Sequence, residues 1–154
     1  MARQTTNSPM PIGVAGQRTS GGSAREQIDS FALSVASQDG AIVIRDGSGG
    51  CRPLADGDTI TEANFLGVIV RDHFREPGAS TRAANTMVPV LRAGRVYVLT
   101  TGAVARGNAC YAGVATAQLG QIDDAAGTGL GACPRTKFES STSAAGIAIL
   151  EVGY

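Results

Sequence analysis

Met87–Thr101, MVPVLRAGRVYVLTT, is the stretch that most restricts what this chain can become. Two apolar runs, Met87–Leu91 and Val96–Leu99, flank the polar quartet Arg92-Ala93-Gly94-Arg95. β-Branched and aromatic residues fit a pleated strand better than a helix, and Gly94 supplies the positive φ that a tight turn needs. The stretch therefore reads as a central β-hairpin. Neither of its faces is polar. Val88 and Val90 alternate with Met87 and Leu91, and Val96 and Val98 alternate with Tyr97 and Leu99. A half-exposed strand would alternate apolar with polar, so this pattern predicts cover on both sides. The expected covers are the protein's own core and a second copy of the chain. Pro89 has no N–H for a ladder, which predicts an edge strand or a bulge at that point.

The rest of the chain carries further short strands separated by turns. Ile28–Ala36 alternates with period two, placing Phe31, Leu33 and Val35 on one face. Ala41–Arg45, Phe65–Arg71, Ala109–Val114 and Gly146–Val152 read as strands, Cys51–Leu54 as a short extended piece and Arg135–Glu139 as an alternating segment, and Gly67 marks a bulge or a close backbone approach. Thr59-x-x-Glu62 fits a capping box for one helical turn. Asp72–Thr86 reads as a long polar loop, and Ala115–Gly131 as a loop or weak hairpin. Eight or nine strands with almost no helix predict an all-β sandwich or barrel. Gly is 21 of 154 residues and Trp is absent, which suits short strands and a Val, Ile, Leu and Ala core.

Residues 1–23 are polar, with two prolines and one apolar island, Met10–Val14. Such a segment cannot form a packed element alone and reads either as a disordered tail or as an extended N-terminal arm that orders against a partner, with the apolar island as its anchor, preceding one β domain, residues 24–154. No apolar run reaches the ~20 residues of a membrane span, and the N-terminus lacks the apolar core of a secretory leader. The expectation is a protein that stays where it is made and contacts no membrane.

Catalytic chemistry has little to build on. His73 is the single histidine, set in the polar loop beside Asp72 with no positioned nucleophile. Cys51, Cys110 and Cys133 lack CxxC spacing and read as buried free thiols. Gly127–Ala132 matches G-x-G-x-x-A, yet Pro134 follows where a dinucleotide motif needs a helix. Asp46, Asp56 and Asp58 lie near glycines without the order of a calcium loop, so turn formation explains them better. No cofactor, metal or small-molecule substrate is expected. Basic and acidic residues balance at 13 each, with no basic stripe of the kind that nucleic-acid binders show. Twelve of the thirteen cations are Arg, which is favoured at desolvated protein contacts and is also what a GC-rich genome encodes.

The remaining readings concern association. The arm's Met10, Pro11, Ile12 and Val14, with Met87, Val88, Arg92, Arg95, Tyr97 and Leu99 of the hairpin, are the candidate partner interface. A host- or glycan-binding β module is the alternative. It would want exposed aromatics for stacking, and the chain has four Phe and three Tyr, with Phe31, Phe65 and Tyr97 expected in the core.

Several segments in order carry a resemblance: the arm PMPIGVAGQRTSGG, then Phe65-Leu66-Gly67, then Val88–Val98, then Gly107-Asn108-Ala109-Cys110-Tyr111, and finally SAAGIAILEV. Over residues 10–154 this resembles the structural cement, or capsid decoration, proteins of tailed bacteriophages. The resemblance implies a jelly-roll-like β domain on the outer capsid surface of the virion. It would be a small homo-oligomer, dimer or trimer, that bridges major capsid protein subunits and resists the pressure of packaged DNA.

Overall fold

The computed structural model describes residues 13–19, 26–71 and 80–153. Twelve strands follow one another in it: β1 (Gln27–Leu33), β2 (Ser37–Gln38), β3 (Ile42–Arg45), β4 (Cys51–Pro53), β5 (Phe65–Ile69), β6 (Thr81–Arg82), β7 (Thr86–Thr100), β8 (Tyr111–Gly113), β9 (Ile122–Asp123), β10 (Leu130–Ala132), β11 (Thr136–Phe138) and β12 (Gly146–Val152). The only helical piece among the described residues is a 3₁₀ turn at Thr116–Gln118. The all-β expectation holds.

The predicted hairpin does not form. Its fifteen residues are one continuous strand, β7, whose two halves pair with different neighbours. The first half lies between β1 (Phe31 opposite Val88) and β5 (Ile69 opposite Val90). The second half pairs antiparallel with β12 from Gly146–Thr100 to Val152–Gly94. Arg92-Ala93-Gly94-Arg95 is a bulge. Gln27 of β1 opposes Ala93 while Ile28 opposes Leu91, so Arg92 is the extra residue, and Gly94 sits at φ 128°.

That extra residue changes which side chains face inward. β1, β4, β3, β5 and β7 hydrogen-bond in sequence and close through the β1–β7 pairing into a five-stranded ring. Leu33, Val43, Cys51, Leu66, Ile69, Val88 and Val90, drawn from all five strands, fill its interior. A second core lies on the other side of β7. There Phe65, Val68, Leu91, Val96 and Val98 pack with Ala148, Leu150 and Phe138 and with Cys110, Ala112 and Ile122 from the small β10–β8–β9 sheet. Before the bulge the even residues of β7 face the ring; after it, Val96 and Val98 face the second core. In the first half one face, Val88 and Val90, is fully covered by the ring, while on the other Leu91 is buried, Pro89 partly so and Met87 exposed, so the prediction of cover on both faces holds only around Leu91.

β5 uses the same device. Val43 opposes Gly67 and Ile44 opposes Phe65, so Leu66 is the extra residue and enters the ring while Phe65 and Val68 enter the second core. Gly67 sits at φ 147°, and a Cβ there would collide with the Leu91 carbonyl, as its place in the sequence predicted.

The exposed edge of β7's second half is covered by the chain itself. Arg18 bridges to Val96, Gly16 N–H donates to the Tyr97 carbonyl at 2.8 Å, and Tyr97 N–H donates to Gln17 at 2.9 Å. The edge therefore needs no second copy. Nor does Pro89 lie on an edge. Its carbonyl accepts from Val70 N–H at 3.0 Å, and in place of the missing proline N–H the Arg82 guanidinium donates to the Val70 carbonyl at 3.2 Å. Arg82 is buried, and its Nε donates to Asp39 Oδ1 at 2.7 Å.

Smaller expectations shift. β1 ends at Leu33, leaving Val35 half exposed at 51%. The helical turn before β5 is capped two residues later than predicted. Thr61 N–H donates to Asn64 Oδ1 and Asn64 N–H to Thr61 Oγ1, with no role for Glu62. The polar loop before β7 contains β6, which pairs with β2; residues 72–79, including His73, lie outside the described residues. Part of the glycine-rich 127–132 segment is β10, paired with β8. The aspartates are turn and pairing residues. Asp46 Oδ1 accepts from Ser48 N–H and Gly50 N–H, Asp56 accepts from Thr116 N–H, and Asp58 takes both arms of the Arg52 fork at 2.6 and 2.7 Å.

Two substitutions test this architecture by urea unfolding. Gly67→Ala puts a methyl on the Leu91 carbonyl at an unfavourable φ and is expected to cost ~2 kcal/mol or more; a neutral effect would mean the bulge can shift. Arg82→Met leaves Asp39 buried without its partner and Val70 without its donor, for an expected loss of ~3–5 kcal/mol. A loss below ~1 kcal/mol would show that the pair is not needed to close the ring.

Candidate docking surface

Alternation along β7 and β12 builds one surface. With Val96, Val98, Ala148 and Leu150 turned inward, Tyr97, Leu99, Ile147 and Ile149 share the opposite face. Ile147 stands directly across from Leu99 and Ile149 from Tyr97. Leu99 is 58% exposed, a large value for an apolar residue in a strand. Gly13 lies against the Tyr97 ring so closely that a Cβ would overlap it, and exposed Val14 follows. Glycine at 13 lets the backbone lie flat on the ring.

The same face turns charged one step along. Arg95 opposes Glu151, and Lys137 of β11 opposes Glu151 from the other side. Lys137 Nζ reaches Glu151 at 3.1 Å and Glu139 at 3.4 Å, and Arg106 and Arg95 approach Glu139 at 3.5 and 3.8 Å. The Glu151 carboxyl, hydrogen-bonded to it, holds Glu139 below the usual carboxylate range, aided by Lys137 and Arg95 and opposed by partial burial. The two carboxylates in turn raise Lys137. Most of the charge here is paired, with three cations against two carboxylates and Arg95 Nε buried without a hydrogen-bond partner, so the apolar half has the most to gain by association.

Beyond Leu99 the surface dips into a groove of about 660 Å³ between the ring and the small sheet, lined by Ile42, Leu54, Leu99, Ile122 and Leu119 among others. Asp39 lines it too, and its Oδ2 is buried without a hydrogen-bond partner.

Of the residues singled out from sequence, Val14, Arg95, Tyr97 and Leu99 come together on this surface. Val88 does not, because it is fully buried in the ring and offers nothing to a partner. Met87 is 63% exposed but lies near the far end of β7, ~40 Å of strand from Leu99. Arg92 is half-buried, 3.5 Å from Asp29. Met10, Pro11 and Ile12 lie outside the described residues. Sequence reading missed Ile147, Ile149 and Leu119; the apolar run Ile147–Leu150 does not say which side chains turn outward, and only the pairing with β7 does. The three cysteines are free and buried, as expected, and burial pushes the Cys51 thiol up to about 11, away from nucleophilic chemistry.

A family description, structural cement protein (E217 gp24/Pam3 gp6), matches residues 2–153. The chain belongs to the phage structural cement protein family. No curated protein matches it. Among solved structures, a chain of "The capsid of Myoviridae Phage XM1" superposes with a TM-score of 0.75 at 17% identity, covering 99% of this chain and 97% of that one. At that identity the likeness shows a shared fold. For a cement protein, an exposed apolar strand face beside a closely ion-paired patch is the arrangement to test.

Glu139 gives a pH test of that patch. Its folded-state pKa is depressed, so its contribution is present above the unfolded value of ~4.3 and is lost as pH falls below it. Thermal midpoints measured from pH 7 to pH 3 should fall less steeply for Glu139→Gln than for the parent protein. Parallel curves would remove the network from the stability of this face.

Proposed function

We propose that this cement protein decorates the outer surface of a phage capsid and bridges neighbouring major capsid protein subunits, holding the shell against the pressure of packaged DNA. The family match over residues 2–153 carries the capsid role. The docking face adds the residues: Val14, Tyr97, Leu99, Ile147 and Ile149 form its apolar centre, and Arg95 lies at its charged margin. Met10, Pro11 and Ile12, outside the described residues, serve as further contacts, as do Met87 near the start of β7 and Arg92 at its bulge. The protein acts as a dimer or trimer. Each contact contributes modestly, and repetition over a shell multiplies the effect.

Two measurements test this reading. Particles assembled without the protein should lose heat resistance, and adding it back should restore it; equal heat resistance with and without it would overturn the cementing role. Leu99→Asp should keep the fold, because the side chain is already exposed, while weakening attachment to capsids about tenfold or more. Unchanged attachment would move the contact to another face.

A further inference from the structure

The β8–β10 register does something beyond building a sheet. Leu130 opposes Gly113, Gly131 opposes Ala112 and Ala132 opposes Tyr111. One further step along both chains sets Cys133 opposite Cys110, and Cys133 N–H donates to the Cys110 carbonyl at 2.8 Å. In such a hydrogen-bonded antiparallel pair the Cα atoms stand ~5.5 Å apart, within the commonest range spanned by a disulfide. Both side chains enter the same second core, while Cys51 lies inside the ring across the sheet. The three free thiols thus sort into a facing pair and a distant single one.

We propose that Cys110 and Cys133 are a cross-linking site, closing to a disulfide when the protein leaves a reducing compartment for one that contains peroxide. This chemistry needs only the chain itself; its use on a released particle rests on the capsid role proposed above. One sulfur attacks the peroxide O–O bond, taking one oxygen as a sulfenic acid while the other leaves as water. The second sulfur then displaces that oxygen as a second water and forms the S–S bond. Two thiols lose two hydrogens and one peroxide is reduced to two waters. The thiol of Cys133 beside it, together with burial, keeps the Cys110 thiol protonated well above the ordinary range, so closure is slow near neutrality and accelerates as pH rises. Entry requires little unfolding, because β10 is a three-residue strand at the edge of its sheet. The bond would staple β8 to β10 and constrain the unfolded chain.

The test uses the whole protein, with and without hydrogen peroxide, then denatured, labelled with a maleimide and weighed intact. Before oxidation all three cysteines should label. After it one label should remain, on Cys51, with a mass loss of two hydrogens before labelling and an upward shift of the thermal midpoint that a reductant reverses. Cys133→Ala should never lose two hydrogens and should show no such shift. Three labels after oxidation, a gain of oxygen in place of the loss of hydrogen, a bond to Cys51 or a bond between two chains would each overturn the proposal. Because heat resistance of capsids is not part of the readout, failure here leaves the cementing role standing, and the reverse also holds.

Discussion

One inserted residue in β7 governs the rest of the molecule. Side chains alternate along a strand, so a shift of one position exchanges its faces. Without the bulge at Arg92, Val96 and Val98 would face solvent, and Arg95 would enter the second core as a buried cation at a cost of several kcal/mol. With it, a single strand contributes Val88 and Val90 to the ring, then Val96 and Val98 to the core beyond. Leu66 gives β5 the same exchange at Gly67. The two bulged strands are neighbours, so the two cores are joined by shared strands rather than by a linker.

Such a wall must satisfy its backbone groups on both sides, and Pro89 is where it cannot do so alone. The carbonyl of Val70 meets a proline with no N–H to offer. Arg82 folds its guanidinium inward to supply the donor, and Asp39 balances the charge. Asp39 sits in the turn between β2 and β3, and Gly16 packs against it. The chain's beginning, the short β2–β6 ladder and the middle of β7 are therefore tied through one buried ion pair. Removing either ion leaves the other unpaired in a low-dielectric site, which is why the pair is worth more as a constraint on geometry than as a simple attraction.

How much of this was legible in the sequence follows from which interactions are local. β12 was read to its exact residues because a dense apolar run is bounded by glycine at both ends. Gly67 announced itself, since only a close approach or a bulge explains glycine inside FLGVIV. The error at Arg92–Arg95 came from the same residue type. A glycine between two apolar runs fits a turn or a bulge equally, and the choice depends on whether the runs pair with each other or with β1, β5 and β12, which lie far off in sequence. The docking face was half legible for a related reason. Tyr97 and Leu99 were visible as a pair, but only the β7–β12 register brings Ile147 and Ile149 beside them. Val88 was misplaced because a strand with two apolar faces does not say which side chain meets solvent.

An exposed strand edge and an exposed strand face pose different hazards. An open edge adds strand upon strand without limit, whereas a face accepts only a surface that fits its side chains. Here the second half of β7 has its edge closed by residues 13–19 and its face left open at Leu99. The neighbouring Arg95, Lys137, Arg106, Glu139 and Glu151 pair closely and leave a single excess positive charge, so they add little long-range attraction for an arbitrary partner. What remains is short-range and apolar, and it gains free energy only where a complementary surface removes it from water. Association through such a face is self-limiting and set by shape.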